Sequence, residues 1–107
     1  MRIALDFDGT YTADIPMWNE ILAVMSAHGH EVVCVTSRRD IFVNHEAVEA
    51  SGINIPIVYC NYNAKAEVMR KLGQPVDVWI DDHPHAIDPD GTEPCCQGFE
   101  FWKESGE

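Results

Sequence analysis

The sequence predicts an α/β fold, a parallel sheet with helices on both faces. Short apolar runs at Ile3 to Leu5, Glu31 to Val35, Ile57 to Cys60 and Val76 to Ile80 alternate with stretches whose apolar residues recur at helical spacing. Brief runs of this kind, lacking a polar alternation, suit strands covered on both faces, as parallel sheets are. Three of the runs stop at polar groups: Asp6 and Asp8, then Thr36, then Asp81 and Asp82. In open α/β sheets ligands sit beyond the carboxyl ends of the strands, which is where these side chains would stand.

Taken in order, the first strand ends at Asp6-Phe-Asp8-Gly9, where Gly9 lets the chain turn at positive φ. Asp14 with Pro16 starts a helix carrying Met17, Trp18, Ile21, Leu22 and Met25, and Gly29 closes it as a left-handed cap. The second strand leads into Thr36-Ser37-Arg38-Arg39. A second helix is expected from about Asp40 to Ala50, with Phe42-Val43 and Ala47-Val48 as its apolar side. After the third strand, Asn63 is expected to cap a third helix that carries Ala64, Val68, Met69 and Leu72 and ends at Gly73. The fourth strand ends at Asp81-Asp82. Asp88-Pro-Asp-Gly-Thr reads as a turn, and Gly98 to Trp102 as a fifth, edge strand. Right-handed crossovers then give a three-layer, Rossmann-like arrangement with strand order 3-2-1-4.

With 107 residues and 46% hydrophobic content, the chain is expected to be one globular domain, residues 1–107. No apolar stretch approaches the roughly 20 residues that cross a bilayer, and the start turns acidic too soon for a signal peptide. A cytoplasmic protein is the expectation. The formal charge of −11 argues against extended nucleic acid as a partner, since such binding is driven by Lys and Arg. It favours a divalent cation, without which an anionic substrate would be repelled. Cys34 and Cys60 stand alone in apolar runs and Cys95-Cys96 are adjacent, so no zinc pattern forms and packed thiols are expected.

Asp6 and Asp8 so close together repel, by about 4 kcal/mol at ~4 Å and an effective dielectric of ~20. A bound cation, or a proton kept on one acid for chemistry, relieves that repulsion. A plain turn is the bland reading of Asp-Phe-Asp-Gly. A calcium loop requires Glu at its twelfth position, where Met17 stands here. Taken singly, Thr36 reads equally as a strand end, Lys65 as a solvated helix lysine, and Asp81-Asp82 as a loop start.

As a set, these residues resemble the motifs of the haloacid dehalogenase superfamily, from Arg2 to about Pro84. Asp6-Phe-Asp8-Gly9-Thr10 is similar to the first motif, Thr36 to the second, Lys65 to the third, and Trp79-Ile80-Asp81-Asp82 to the fourth. The resemblance implies a Mg2+-dependent phosphatase acting through an aspartyl-phosphate. Asp6 would be nucleophile, Asp8 general acid and then base, Thr36 a hydrogen-bond donor to the phosphoryl group, and Lys65 its charge balance. Gly9, Thr10, Ser37 and Arg38 would contact substrate, with Arg38 a candidate for a distal anionic group. By the same resemblance Asp6, Asp8 (through its backbone carbonyl), Asp81 and Asp82 would form the metal set, with Asp82 favoured for direct binding and Asp81 for an indirect role.

Many members of the superfamily insert a cap domain, for which this chain has no room. The site is then expected to be open, or closed by another subunit of a homo-oligomer. Short similarities of Thr-Ser-Arg and Ile-Asp-Asp-His-Pro-His point toward nucleotidase-like or 3′-phosphatase-like members. A small nucleotide or sugar phosphate fits the charge better than a polynucleotide. Two competitors remain: a non-catalytic domain that binds a phosphorylated ligand, and a receiver-like signalling module. The receiver places its acceptor acid on the third strand, which here ends Tyr59-Cys60-Asn61.

Overall fold

The computed structural model describes residues 1–89. The expected edge strand at Gly98 to Trp102 lies outside the described residues, as do Cys95, Cys96 and most of the turn beginning at Asp88.

Four strands, β1 (Arg2–Leu5), β2 (Glu31–Thr36), β3 (Ile57–Tyr59) and β4 (Val78–Ile80), form one sheet in the order β3-β2-β1-β4. All pairings are parallel. Leu5 stands opposite Cys34 on one side and Ile80 on the other, so the ends of β1, β2 and β4 share an edge. Helices α1 (Ile15–Ala27), α2 (Phe42–Ala50) and α3 (Lys65–Lys71) complete a Rossmann-like α/β architecture. Among the described residues no helix is long and apolar enough to cross a membrane.

Successive strand residues point to opposite faces, and the core divides accordingly. On one face Ile3, Leu5, Val32 and Cys34 pack with Phe7, Tyr11, Leu22 of α1 and Val48 of α2. On the other, Ala4, Val33, Val35 and Cys60 pack with Met69 of α3. Central strands covered on both faces need apolar residues at consecutive positions, which explains why β1 and β2 read as unbroken runs. Cys34 and Cys60 are buried free thiols, and burial pushes them up to about 12 and about 11, so they behave as packed apolar groups.

Helix α1 starts where expected, with Asp14 Oδ1 accepting from Met17 N at 3.2 Å and Pro in the first turn. It ends in a Schellman turn: Gly29 has φ 83°, Gly29 N donates to Ser26 O, and His30 N donates to Met25 O.

The other two helices depart from expectation. α2 begins at Phe42 with Ile41 at its N-cap and no side-chain cap, because the Asp40 carboxylate pairs with His45. Of its expected apolar side, Val48 is buried, but Phe42 and Val43 are 75% and 63% exposed and Ala47 is exposed as well. The stripe facing the sheet is Asn44, Val48 and Ser51, at helical spacing. α3 has Ala64, not Asn63, at its N-cap, and Leu72 is exposed. Asn63 is drawn instead into a turn in which its N–H donates to Cys60 O at 2.9 Å. β4 begins at Val78 rather than Val76, since Asp77 uses its carboxylate and amide on the backbone of Arg2.

Candidate active site

The site is built at the shared carboxyl edge. Asp6 leaves β1 with its N–H donated to Ile80 O at 2.9 Å, so its backbone is fixed between β1 and β4. The turn that follows is stapled by Tyr11 N to Asp6 O and Thr12 N to Phe7 O, and Gly9 N donates to Thr12 Oγ1 at 3.0 Å. Gly9 has φ 81°, and a Cβ there would lie 2.4 Å from Asp82 Oδ2. Only glycine satisfies both the backbone angle and that approach.

Thr10 joins the two acidic segments. Its Oγ1 lies 3.3 Å from Asp6 Oδ2 and 3.1 Å from Asp82 Oδ1, and its one proton serves either acceptor. The same oxygen accepts from Asp82 N at 3.2 Å. Lys65, the first residue of α3, is 1% exposed and reaches from the far face into the same cluster. Its Nζ donates to Asp6 Oδ1 and to Asp81 Oδ2, each at 2.7 Å. The other Asp81 oxygen accepts from His83 N at 2.9 Å.

The electrostatics follow from this packing. Burial pushes the Asp6 carboxyl up to about 6, against the opposing pull of Lys65. Burial also acts to lower the Lys65 ammonium, but its bonds to Asp6 and Asp81 outweigh that and hold it above its ordinary value. Asp82 lies below the usual carboxylate range, chiefly because Asp6 and then Thr10 hydrogen-bond to it. Three carboxylates therefore surround one ammonium. Ligand oxygens of Asp6, Asp81 and Asp82 all lie within 4.8 Å of one another. An excess of hard oxygen donors around one point fits a small divalent cation such as Mg2+.

A cleft of about 360 Å³ opens over this cluster, lined by Asp6, Asp8, Ser37, Lys65, Asp81, Asp82, His83 and Ala86. Asp8 lies on its outer side, about half exposed, with both carboxylate oxygens taken by Arg38: Nε to Oδ2 and Nη2 to Oδ1, each at 2.8 Å. Thr36 is fully buried at the end of β2, and its Oγ1 accepts from Arg38 N at 3.2 Å. The loops after β2 and β3 are tied together by Tyr62 N to Ser37 O and Asn61 N to Arg38 O.

The residues singled out from the sequence thus meet at one rim, with two qualifications. Gly9, Thr10, Thr36 and Arg38 are not among the residues lining the cleft, and Arg38 faces Asp8 rather than open solvent. Sequence reasoning missed Phe7, whose ring lies 5.5 Å from the Arg38 guanidinium, and Asn44, whose Oδ1 accepts from Arg38 Nη1 at 3.0 Å. Phe7 lies within the first motif but reads there as a core residue, and Asn44 reads as a polar helix residue. His83, which the sequence offers only as part of the Ile-Asp-Asp-His-Pro-His run, lines the cleft and donates its backbone N–H to Asp81 Oδ1. No protein-family model, curated protein or solved structure matches this chain.

Proposed function

We propose that this chain is a magnesium-dependent phosphatase of the haloacid dehalogenase type, hydrolysing phosphate monoesters through an aspartyl-phosphate on Asp6. The observation that carries the reading is the Lys65 ammonium, 2.7 Å from both Asp6 and Asp81 and buried among acids from two strands. A carboxylate that must attack an anionic phosphoryl group needs compensating positive charge fixed beside it. A structural lysine satisfied by one acid would not require the second acid, the Thr10 bridge and the open cleft above them.

In the first half-reaction an Asp6 oxygen forms a bond to phosphorus as the bond to the leaving oxygen breaks on the opposite side. Asp8, at the outer lip, supplies the proton to that oxygen. In the second, Asp8 takes a proton from water, the water oxygen bonds to phosphorus, and the acyl-phosphate bond breaks. Inorganic phosphate and the Asp6 carboxylate result. Lys65 keeps Asp6 oriented in both steps, and the role of phosphoryl hydrogen-bond donor falls to Thr36 by motif resemblance, its hydroxyl lying buried at the end of β2. Bound Mg2+, held by Asp6, the Asp8 carbonyl and Asp82, would supply further positive charge to the phosphoryl oxygens. Asp82 is the better direct ligand because both Asp81 oxygens are already engaged by Lys65 and His83 N–H.

The open cleft and the acidic surface favour a small phosphate ester, a nucleotide or sugar phosphate, over a polynucleotide. A receiver-like module is disfavoured by the absence of an acid at the end of β3. The test is a panel of nucleoside monophosphates, sugar phosphates and DNA 3′-phosphate ends, assayed after chelation and again with Mg2+. Activity should appear only with the metal, be absent in Asp6→Asn, and leave a hydroxylamine-sensitive phosphoryl group on the parent protein. Undiminished hydrolysis by Asp6→Asn would remove the nucleophile. A parent protein that binds phosphate analogues but turns over no ester would leave only a binding domain.

A further inference from the structure

We propose that Arg38 is a positioning residue, a guanidinium clamp that fixes the orientation of the Asp8 carboxylate for proton transfer. The inference rests on the phosphatase reading above and names a part of that site which the motif resemblance assigned to substrate instead. Asp8 projects from a surface turn and is about half exposed. Left alone, such a side chain samples several rotamers, whereas transfer to a leaving oxygen demands one hydrogen-bonding geometry. The Arg38 fork removes that freedom by donating Nε–H and Nη2–H to the two oxygens, both at 2.8 Å. Each oxygen accepts one of these bonds and keeps a second lone pair, which carries the proton passed to the leaving oxygen in the first half-reaction and takes up the proton of the attacking water in the second.

The clamp is itself held. Nη1 donates to Asn44 Oδ1 at 3.0 Å, and Asn44 Nδ2 donates to Arg39 O at 2.9 Å, which binds the guanidinium to the first turn of α2. The Phe7 ring supports it from 5.5 Å. At the backbone, Arg38 N donates to Thr36 Oγ1 and Arg38 O accepts from Asn61 N. An arginine reserved for a distal anion would turn its fork to the cleft. Here the fork faces Asp8, and the residue is absent from the cleft lining.

The test uses two esters that differ in their need for a proton. In the phosphorylating half-reaction, the bond from phosphorus to the leaving oxygen breaks as Asp8 passes its proton to that oxygen. An alkyl alkoxide needs the proton, while a nitrophenolate leaves readily without it. kcat/KM reports this half-reaction, so it is measured for β-glycerol phosphate and p-nitrophenyl phosphate in the parent, Arg38→Lys and Arg38→Ala, with Mg2+. The expected result is a loss of about a hundredfold on the alkyl ester and only a few-fold on the aryl ester. Free guanidinium should restore part of the alkyl activity to Arg38→Ala, and Lys, lacking the planar fork, should substitute poorly. Equal losses on the two esters would make Arg38 a substrate anchor or a structural residue and overturn the proposal. A second readout needs no turnover: the Arg38 Nε–H resonance should move in Asp8→Asn while backbone resonances far from the site stay in place. An unmoved resonance also overturns the clamp. A parent inactive on both esters with the resonance shifted as expected locates the failure in the phosphatase reading and withdraws the catalytic purpose assigned to Arg38.

Discussion

The two halves of the rim hold their charges in different ways. On the β1, β4 and α3 side, Lys65 is 1% and Asp6 7% exposed, and Lys65 braces Asp6 and Asp81 together. On the β2 and α2 side, Asp8 and Arg38 meet near the surface, and loop hydrogen bonds rather than burial hold them. Water screens the second pair and not the first. The lesson is that the same kind of ion pair serves different ends according to depth. Breaking the buried cluster should unsettle the fold, and breaking the exposed pair should cost mainly function.

Lys65→Met should give the largest stability loss. It strands Asp6 and Asp81 in the interior with no cation, and removal of one partner from a buried pair costs about 3–5 kcal/mol. Urea titration in chelator would read this directly. If the variant unfolds at the parent's midpoint, the cluster is wetter than its burial indicates and the contrast between the two halves fails.

Asp6→Asn should act in the opposite sense and with a defined pH dependence. Asp6 titrates near about 6 in the folded protein and near 3.8 when unfolded, so the fold holds its proton more tightly. Parent stability is then lost as pH rises between those values. Asn never ionises. The metal-free variant should therefore be more stable than the parent above pH ~6, with the advantage shrinking as pH falls and gone below the unfolded value. Thermal melts at several pH values in chelator would test it, and an advantage that grew toward low pH would contradict it. Added Mg2+ should raise the parent's melting temperature more than the variant's.

Gly9→Ala comes next. It forces a Cβ to 2.4 Å from Asp82 Oδ2 at φ 81°, and strain of this kind costs about 1–3 kcal/mol. Because the displaced atom belongs to Asp82, Mg2+ affinity measured by calorimetry should fall together with stability. Retention of full metal affinity would separate Asp82 from the metal.

This contrast also explains what could be read from the chain alone. Strands β1 and β2 were legible because two-sided burial leaves unbroken apolar runs, and the polar groups that end them had to share an edge once the strands were parallel. Lys65 was legible only as part of that set, since nothing local separates it from a surface lysine. The exposed half was less so. The Arg38 fork, the Asn44 brace and the Phe7 support depend on side chains meeting across a turn and a helix start, with no fixed spacing to betray them. α2 misled in part for a related reason: of the four apolar residues expected on its inward side, Val48 does turn inward, while Phe42, Val43 and Ala47 face outward, because the tertiary contacts that set a helix's rotation leave no local mark.

That rotation gives the smallest expected effect and the sharpest check on α2. Val48 is 3% exposed and Phe42 75%, six residues apart on one helix. Phe42→Ser removes a large apolar ring from solvent rather than from the core, and surface changes of this sort stay within about 0.5 kcal/mol. Val48→Ala opens space between α2 and β2 and should cost clearly more, as core truncations do. Because the expected apolar side holds both residues, matched urea titrations decide whether Val48 alone of the two faces the core. A Phe42→Ser loss equal to that of Val48→Ala would contradict the exposed placement of the ring and with it the rotation of α2.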